Sequence, residues 1–410
     1  MVNKLELNSR LPTKPKRTRA KVWWIIHQWV GLKLSIFISF IMLTGTLAVF
    51  SNEIDWMTKA GMRVDPATLS EEVNWPAIAD TAYRMDDLAE VQSLNAPLGS
   101  RFAASAVVIT DEGERRLLYM HPSTGELQGD YSWVTVQRVL RFMHRHLFLP
   151  TSIGVPIVSS LSLLLAVSLA TSLVVYKKWW RGFLKPIRFR RNARAVWGDA
   201  HRLAGVWSLW FTVLMVLTGL WYLVESLGLR APAHPSAQIS AAEWNNEDIS
   251  GALAMALRSM RAAQPQLEIR RIVMPSERSG AFVFQGDYEA ILVRPRSNAV
   301  WVDASDTRVQ LVTDGRDLSV HQRVSEMADP LHFGSFGGLW TKTIWFVFGA
   351  ALTFLSISGV AIYTSRILKK EKQTANLGPV IRQSWRGMGV WAWPSTGLSL
   401  LGLTLWVFVF

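Results

Sequence analysis

The sequence predicts a polytopic α-helical membrane protein with four core transmembrane helices, a further C-terminal one, and two α+β modules outside the membrane, arranged as an internal duplication. Three observations carry this. Long apolar runs alternate with polar stretches of ordinary soluble character. Basic residues cluster where the chain leaves those runs on one side. The first and third runs align with each other without a gap.

A spanning helix needs roughly 20 apolar residues. Five segments reach that length, at about 27–50, 153–176, 203–224, 341–363 and 388–410, the last interrupted by Pro394. The N-terminal stretch 1–26 holds Lys4, Arg10, Lys14, Lys16, Arg17, Arg19 and Lys21 against Glu6 alone. Loops 177–200 and 364–387 are similarly basic, with Lys177, Lys178, Arg181, Lys185 and Arg188 in one and Arg366, Lys369 and Arg382 in the other. Cytoplasmic loops are enriched in Lys and Arg. The N-terminus is therefore expected inside the cell. Segments 51–140 and 225–335 are expected outside, joined by 141–176, 201–224 and 336–363 as the second, third and fourth spans with their entries. The basic start is too long, and the run after it too extended, for a cleaved signal peptide.

Many of the 20 tryptophans, Trp23, Trp24, Trp179 and Trp340 among them, lie near span ends, where amphipathic rings settle. The first outer module predicts a helix over Trp75 to Glu90. Strands then follow at Ala103–Thr110 and Arg116–Met120, with turns at Asp111–Gly113 and His121–Gly125 before another short strand. The second predicts a helix over Ile249 to Ala263, then strands at Ile269–Met274, Ala281–Gln285, Ala290–Arg294 and Ala299–Val302.

The chain has no cysteine. That excludes disulfides, thiolate zinc sites, Cys-ligated iron–sulfur clusters and covalent haem attachment. The formal charge of +13 would suit nucleic acid, but the membrane-flanking loops account for it. No glycine-rich dinucleotide fingerprint follows a strand, so any reductant must come from elsewhere.

At an offset of 174 residues, His27-Gln28-Trp29-Val30-Gly31 matches His201-Arg202-Leu203-Ala204-Gly205, and Leu43-Thr44-Gly45 matches Leu217-Thr218-Gly219. Helical geometry puts both glycines of each set near the histidine's face, where missing side chains admit a close helix or a flat cofactor. Met143-His144-Arg145 precedes the second span and Pro330-Leu331-His332-Phe333-Gly334 the fourth. A single histidine at a membrane surface is more often an interfacial polar residue than a ligand. A histidine repeated in one glycine register defaults to function.

Bare zinc or copper needs three or four ligands, and no carboxylate or thiol joins these positions. A b-type haem needs one or two axial side chains and an apolar slot. Topology pairs His27 with His201 for one haem and His144 with His332 for a second. His146 competes with His144, and His321 with His332. All four ligands are expected at helix N-termini, whose positive end disfavours imidazolium. Gly31 and Gly205 are candidates to lie beside the haem. Lys33, Arg141, Arg145, Arg202 and Lys342 are candidates to meet its propionates, against a simple interfacial role.

These motifs, with Asp329-Pro330-Leu331-His332-Phe333-Gly334 and Gly337-Gly338, resemble the PepSY-associated transmembrane helix family, iron-regulated inner-membrane proteins of Gram-negative bacteria, over residues 21–365. The outer segments resemble PepSY modules. The likeness to siderophore-reductase members implies two haems b per chain and electron flow from the cytoplasmic side to a periplasmic ferric siderophore, releasing Fe(II). The donor would be a cytoplasmic reductant or a membrane quinol. Lipid surrounds the spans, and periplasmic iron-uptake proteins are a further expected partner class. Two readings compete: a non-catalytic PepSY protein that binds a partner, and a siderophore or metal transporter.

Overall fold

The computed structural model describes residues 19–240, 248–370 and 377–409. Most of the basic N-terminus, together with Glu371 and Lys372 of the third basic segment, lies outside them.

The first apolar run is a broken helix. α1 (Arg19–Lys33) and α2 (Ser35–Ala48) meet at Leu34 with a bend of 68°. The chain continues through α3 (Ser51–Thr58) and α4 (Trp75–Tyr83) into β1 (Leu88–Asn95), β2 (Ala104–Thr110), β3 (Arg115–Met120) and β4 (Leu127–Ser132). It returns through α5 (Val136–His146), α6 (Thr151–Ser159) and α7 (Leu161–Val175), then α8 (Ala193–Trp207) and α9 (Leu209–Ser226). The second module is α10 (Ile249–Ala263) with β5 (Glu268–Val273), β6 (Ala281–Asp287), β7 (Ala299–Asp303) and β8 (Val309–Thr313). Then come α11 (Val320–Phe333), α12 (Gly338–Lys370), α13 (Leu377–Met388), α14 (Ala392–Thr404) and α15 (Trp406–Val409).

Among the described residues, Thr151–Val175, Leu209–Ser226 and Ser335–Lys369 are long and apolar enough to cross a membrane, and the bent α1–α2 pair is a fourth if it counts as one span. The expected span at 388–410 is corrected. Gly389 at φ 62° separates α13 from α14, α14 and α15 are broken at Leu405, and this segment is not among the spanning candidates of the described residues. This segment instead braces the break in the first run. Phe37 N–H donates to Ser395 Oγ at 3.0 Å, and Lys33 Nζ donates to the carbonyls of Gly387 and Met388 at 2.9 and 3.2 Å.

The two outer modules share one antiparallel sheet of order β4-β3-β2-β1-β5-β6-β7-β8, joined where β1 pairs with β5. Period-two alternation turns Ala104, Ala106 and Val108, Phe282 and Phe284, and Val300 and Val302 to one face. There they pack under Ile78, Ala79 and Ala82 of α4 and Leu253, Ala256 and Met260 of α10. Two expectations fail. The first helix ends at Tyr83, and Glu90 lies within β1. Ala290–Arg294 is not a strand: Leu292 takes φ 55°, and Arg294 N–H donates to Glu326 rather than to a neighbouring strand.

Candidate cofactor-binding site

Four of the histidines meet in two pairs. His27 and His201 lie at the end of the helices far from the sheet, with ring centroids 6.5 Å apart at 81°. His144 and His332 lie at the sheet end, 6.2 Å apart at 34°. The expected helix N-termini are corrected. His27 and His201 stand mid-helix in α1 and α8, while His144 and His332 occupy the last turns of α5 and α11. The helix terminus therefore does not set the protonation state of these rings.

What sets the tautomer is a partner on each Nδ1. His27 Nδ1 lies 3.1 Å from Ser168 O and from Thr171 Oγ1. His144 Nδ1 lies 2.9 Å from Ile41 O. A carbonyl only accepts, so these nitrogens carry the proton. His201 Nδ1 lies 2.8 Å from Ser358 Oγ, and His332 Nδ1 2.8 Å from Thr218 Oγ1. Both hydroxyls give their own proton to a carbonyl one turn back, at Leu355 and Leu214. They are thus left to accept from the imidazole. The carbonyl partners assign Nδ1–H to His27 and His144, and the same tautomer at His201 and His332 lets both hydroxyls keep their carbonyl bonds; each Nε2 then has a lone pair, the form a metal requires.

The spacing fits a pair of axial ligands. With a metal–imidazole bond of about 2 Å and a ring centre ~1.1 Å behind its nitrogen, two opposed imidazoles on one metal stand about 6.2 Å apart, centre to centre. Among the described residues no third His, Asp or Glu joins either pair into a metal-binding group. Two donors suit a metal whose other positions a macrocycle fills.

A cavity of about 850 Å³ surrounds the sheet-end pair, within the roughly 300–1,000 Å³ usual for cofactor sites. Its lining combines apolar Ile41, Phe211 and Leu352 with polar Arg141, Arg145 and Tyr222. Arg141 also lies over the Phe333 ring at 5.0 Å.

The rivals fall outside the pairs. His146 is buried against the Phe142 ring at 4.9 Å, with its Nδ1 unpartnered. His321, in the first turn of α11, meets Trp221 at 5.4 Å. Lys33 and Lys342 are corrected as propionate partners: Lys33 serves the carbonyls above, and Lys342 pairs with Glu53 at 2.6 Å. Arg202 donates to Lys185 O and lies 3.9 Å from Asp199. A Cβ on Gly31 would meet nothing within 4 Å, and one on Gly205 only Leu355 at 3.7 Å, so both leave room. Gly45 does not. A Cβ there would lie 2.5 Å from His144 Cε1, so this glycine seats the ring.

Sequence reasoning missed the partners Ser168, Thr171, Ser358 and Thr218. Thr218 stood in the repeated Leu-Thr-Gly, where a hydroxyl inside an apolar run was the available signal. It also missed the supports of the ligand helices. Asp55, 2% exposed, accepts from the N–H groups of Val136 and Gln137 and so caps α5. Glu326, 1% exposed, accepts from Arg294, Arg296 and His234 on α11. Burial raises the Glu326 carboxyl, but the Arg294 guanidinium and its neighbours outweigh that and hold it down at about 2.

Apolar helices of spanning length, a sheet gathered at one end and paired imidazoles between the helices define a membrane protein with a candidate cofactor core. The family model of the PepSY-associated TM region matches residues 24–366, and the chain belongs to that family. No curated protein matches the chain significantly.

Proposed function

We propose that the chain is an inner-membrane b-type dihaem protein that passes electrons from the cytoplasmic side to a periplasmic ferric siderophore, releasing Fe(II). The observation that carries this is the matched construction of the two pairs, each of two imidazoles with a partner on Nδ1 and ring centres 6.5 and 6.2 Å apart. On this reading two duplicated units, each of two spans, place the basic loops inside and the sheet outside. A bound haem supplies reversible one-electron chemistry at each pair.

The residues do the rest. His27 and His201 would hold one haem and His144 and His332 the other, and two imidazoles per iron would suit electron transfer over oxygen binding. Their Nδ1 partners hold the rings and raise their basicity. Arg141 and Arg145 line the cavity, where they can meet propionates. Thr218, the partner of His332, follows His201 across the break between α8 and α9, at most about 25 Å along by helical rise, a separation that supports assigning the pairs to opposite faces. One electron from a reductant or quinol inside reduces one Fe(III) in its chelate outside. Ferrous iron binds such ligands far more weakly and leaves.

The test is spectral, then chemical. Purified protein should show two reducible b-type haems, one lost in His27→Ala or His201→Ala and the other in His144→Ala or His332→Ala. His146→Ala and His321→Ala should retain both. Anaerobically reduced protein should be reoxidised by a ferric siderophore. A folded, colourless protein would remove the haem, and reduced protein inert to every ferric chelate would remove the reductase.

A further inference from the structure

Arg294 sits in the turn after β6, far in sequence from either ligand helix, yet its guanidinium reaches α11 from three directions. Nε lies 2.7 Å from Glu326 Oε2, Nη2 2.8 Å from Glu326 Oε1, and Nη1 2.9 Å from Asp329 Oδ2. Its own backbone N–H donates to Glu326 Oε2 at 3.1 Å. Asp329, one turn before His332, accepts from Tyr222 Oη at 2.7 Å. The Tyr222 ring stands edge-on to the His332 ring, with centroids 5.3 Å apart. The sheet is thereby tied to the ligand helix α11 by a forked arginine, and α11 to α9 by a tyrosine.

We propose that Arg294 is a positioning residue for the sheet-end haem, fixing the rotation of α11, and so the plane of His332, while neutralising the Glu326 and Asp329 carboxylates beside it. The proposal rests on the dihaem reading. A planar fork holding two carboxylates fixes rotation as a point charge does not. Without it Asp329 keeps only the Tyr222 hydroxyl as a hydrogen-bond donor among the described residues, with the Arg141 charge nearby, and a less compensated anion near the haem favours the ferric form.

The test uses full-length haem-loaded protein carrying Arg294→Gln, Arg294→Lys or Tyr222→Phe. Haem content, low-temperature electron paramagnetic resonance of the ferric haems and a redox titration are read together. In Arg294→Gln the signal of the His144/His332 haem should change its g-values. Its ferrous-to-ferric ratio at the wild-type midpoint should fall about threefold or more. The His27/His201 haem should be unmoved. Arg294→Lys should recover the ratio in large part but not the g-values, because it restores charge without the fork. Tyr222→Phe, which removes one hydroxyl, should shift the same haem in the same direction by less. Unchanged g-values and potential in Arg294→Gln would overturn the proposal. So would equal shifts at both haems in Tyr222→Phe, which decides the matter if Arg294→Gln does not fold. Wild-type protein without haem would instead count against the dihaem reading itself.

Discussion

On the dihaem proposal, the substitution Gly45→Ala separates a glycine that seats a haem ligand from one that merely packs. The added methyl would stand 2.5 Å from His144 Cε1, 2.8 Å from Nδ1 and 3.1 Å from Nε2. Ordinary carbon contacts lie at about 3.5–4.0 Å, so the ring must retreat by about 1 Å. That retreat strains the 2.9 Å bond to Ile41 O and moves Nε2 by several times the roughly 0.2 Å that metal-ligand distances tolerate. Overpacking of this kind costs about 1–3 kcal/mol, less than a typical folding stability of about 5–15 kcal/mol. The protein should fold and lose one haem. Haem per chain, from the absorbance of the reduced pyridine complex, should drop from two to one, with the His27/His201 spectrum intact. Gly397→Ala, with no atom within 4 Å of the new methyl, should keep both. Two haems with unaltered spectra in Gly45→Ala would refute the seating argument.

Thr218→Val keeps the shape but removes the acceptor of His332 Nδ1. Haem affinity at that pair should fall about 10- to 100-fold, measured as faster transfer to a haem-scavenging apoprotein. Asp55→Ala removes the cap on α5 and a partner of Lys59, and should cost about 2–3 kcal/mol, read from thermal unfolding by circular dichroism. The folded Glu326 carboxyl, at about 2, lies below its ordinary value of 4.5. Its contribution is therefore full above about pH 4.5 and lost as pH falls toward 2, by at most about 3 kcal/mol. Glu326→Gln should flatten the acid limb of a plot of melting temperature against pH, and an unchanged limb would remove this carboxylate as its cause.

The sequence showed most where one physical signal dominates. The helix Ile249–Ala263 appears with the bounds its 3.6-residue periodicity predicts. Both histidines of the gapless repeat meet as a pair. Where tertiary pairing decides, sequence misled. Leu88–Asn95 carries Leu, Ala, Glu and Gln, which favour a helix, yet it is the strand on which the two modules join. Ala290–Arg294 has strand-like side chains, but Glu326 draws its end away. Choosing between His144 and His146 needed the face on which α5 meets α2, which two residues on one helix do not reveal. The hydroxyl and carbonyl partners of the four imidazoles lie more than a hundred residues away, beyond any local pattern.

The break at Leu34 bears on how the molecule is made. The helix carrying His27 is made early, and the groups that brace its bend, Ser395 and the carbonyls of Gly387 and Met388, follow more than 350 residues later. At a synthesis rate of about 5–20 residues per second, that leaves tens of seconds in which the bend lacks its support. On the dihaem proposal, loading at His27 is then an event that follows translation. Nascent chains stalled before residue 387 should remain unloaded at the His27 pair however long they wait in the membrane.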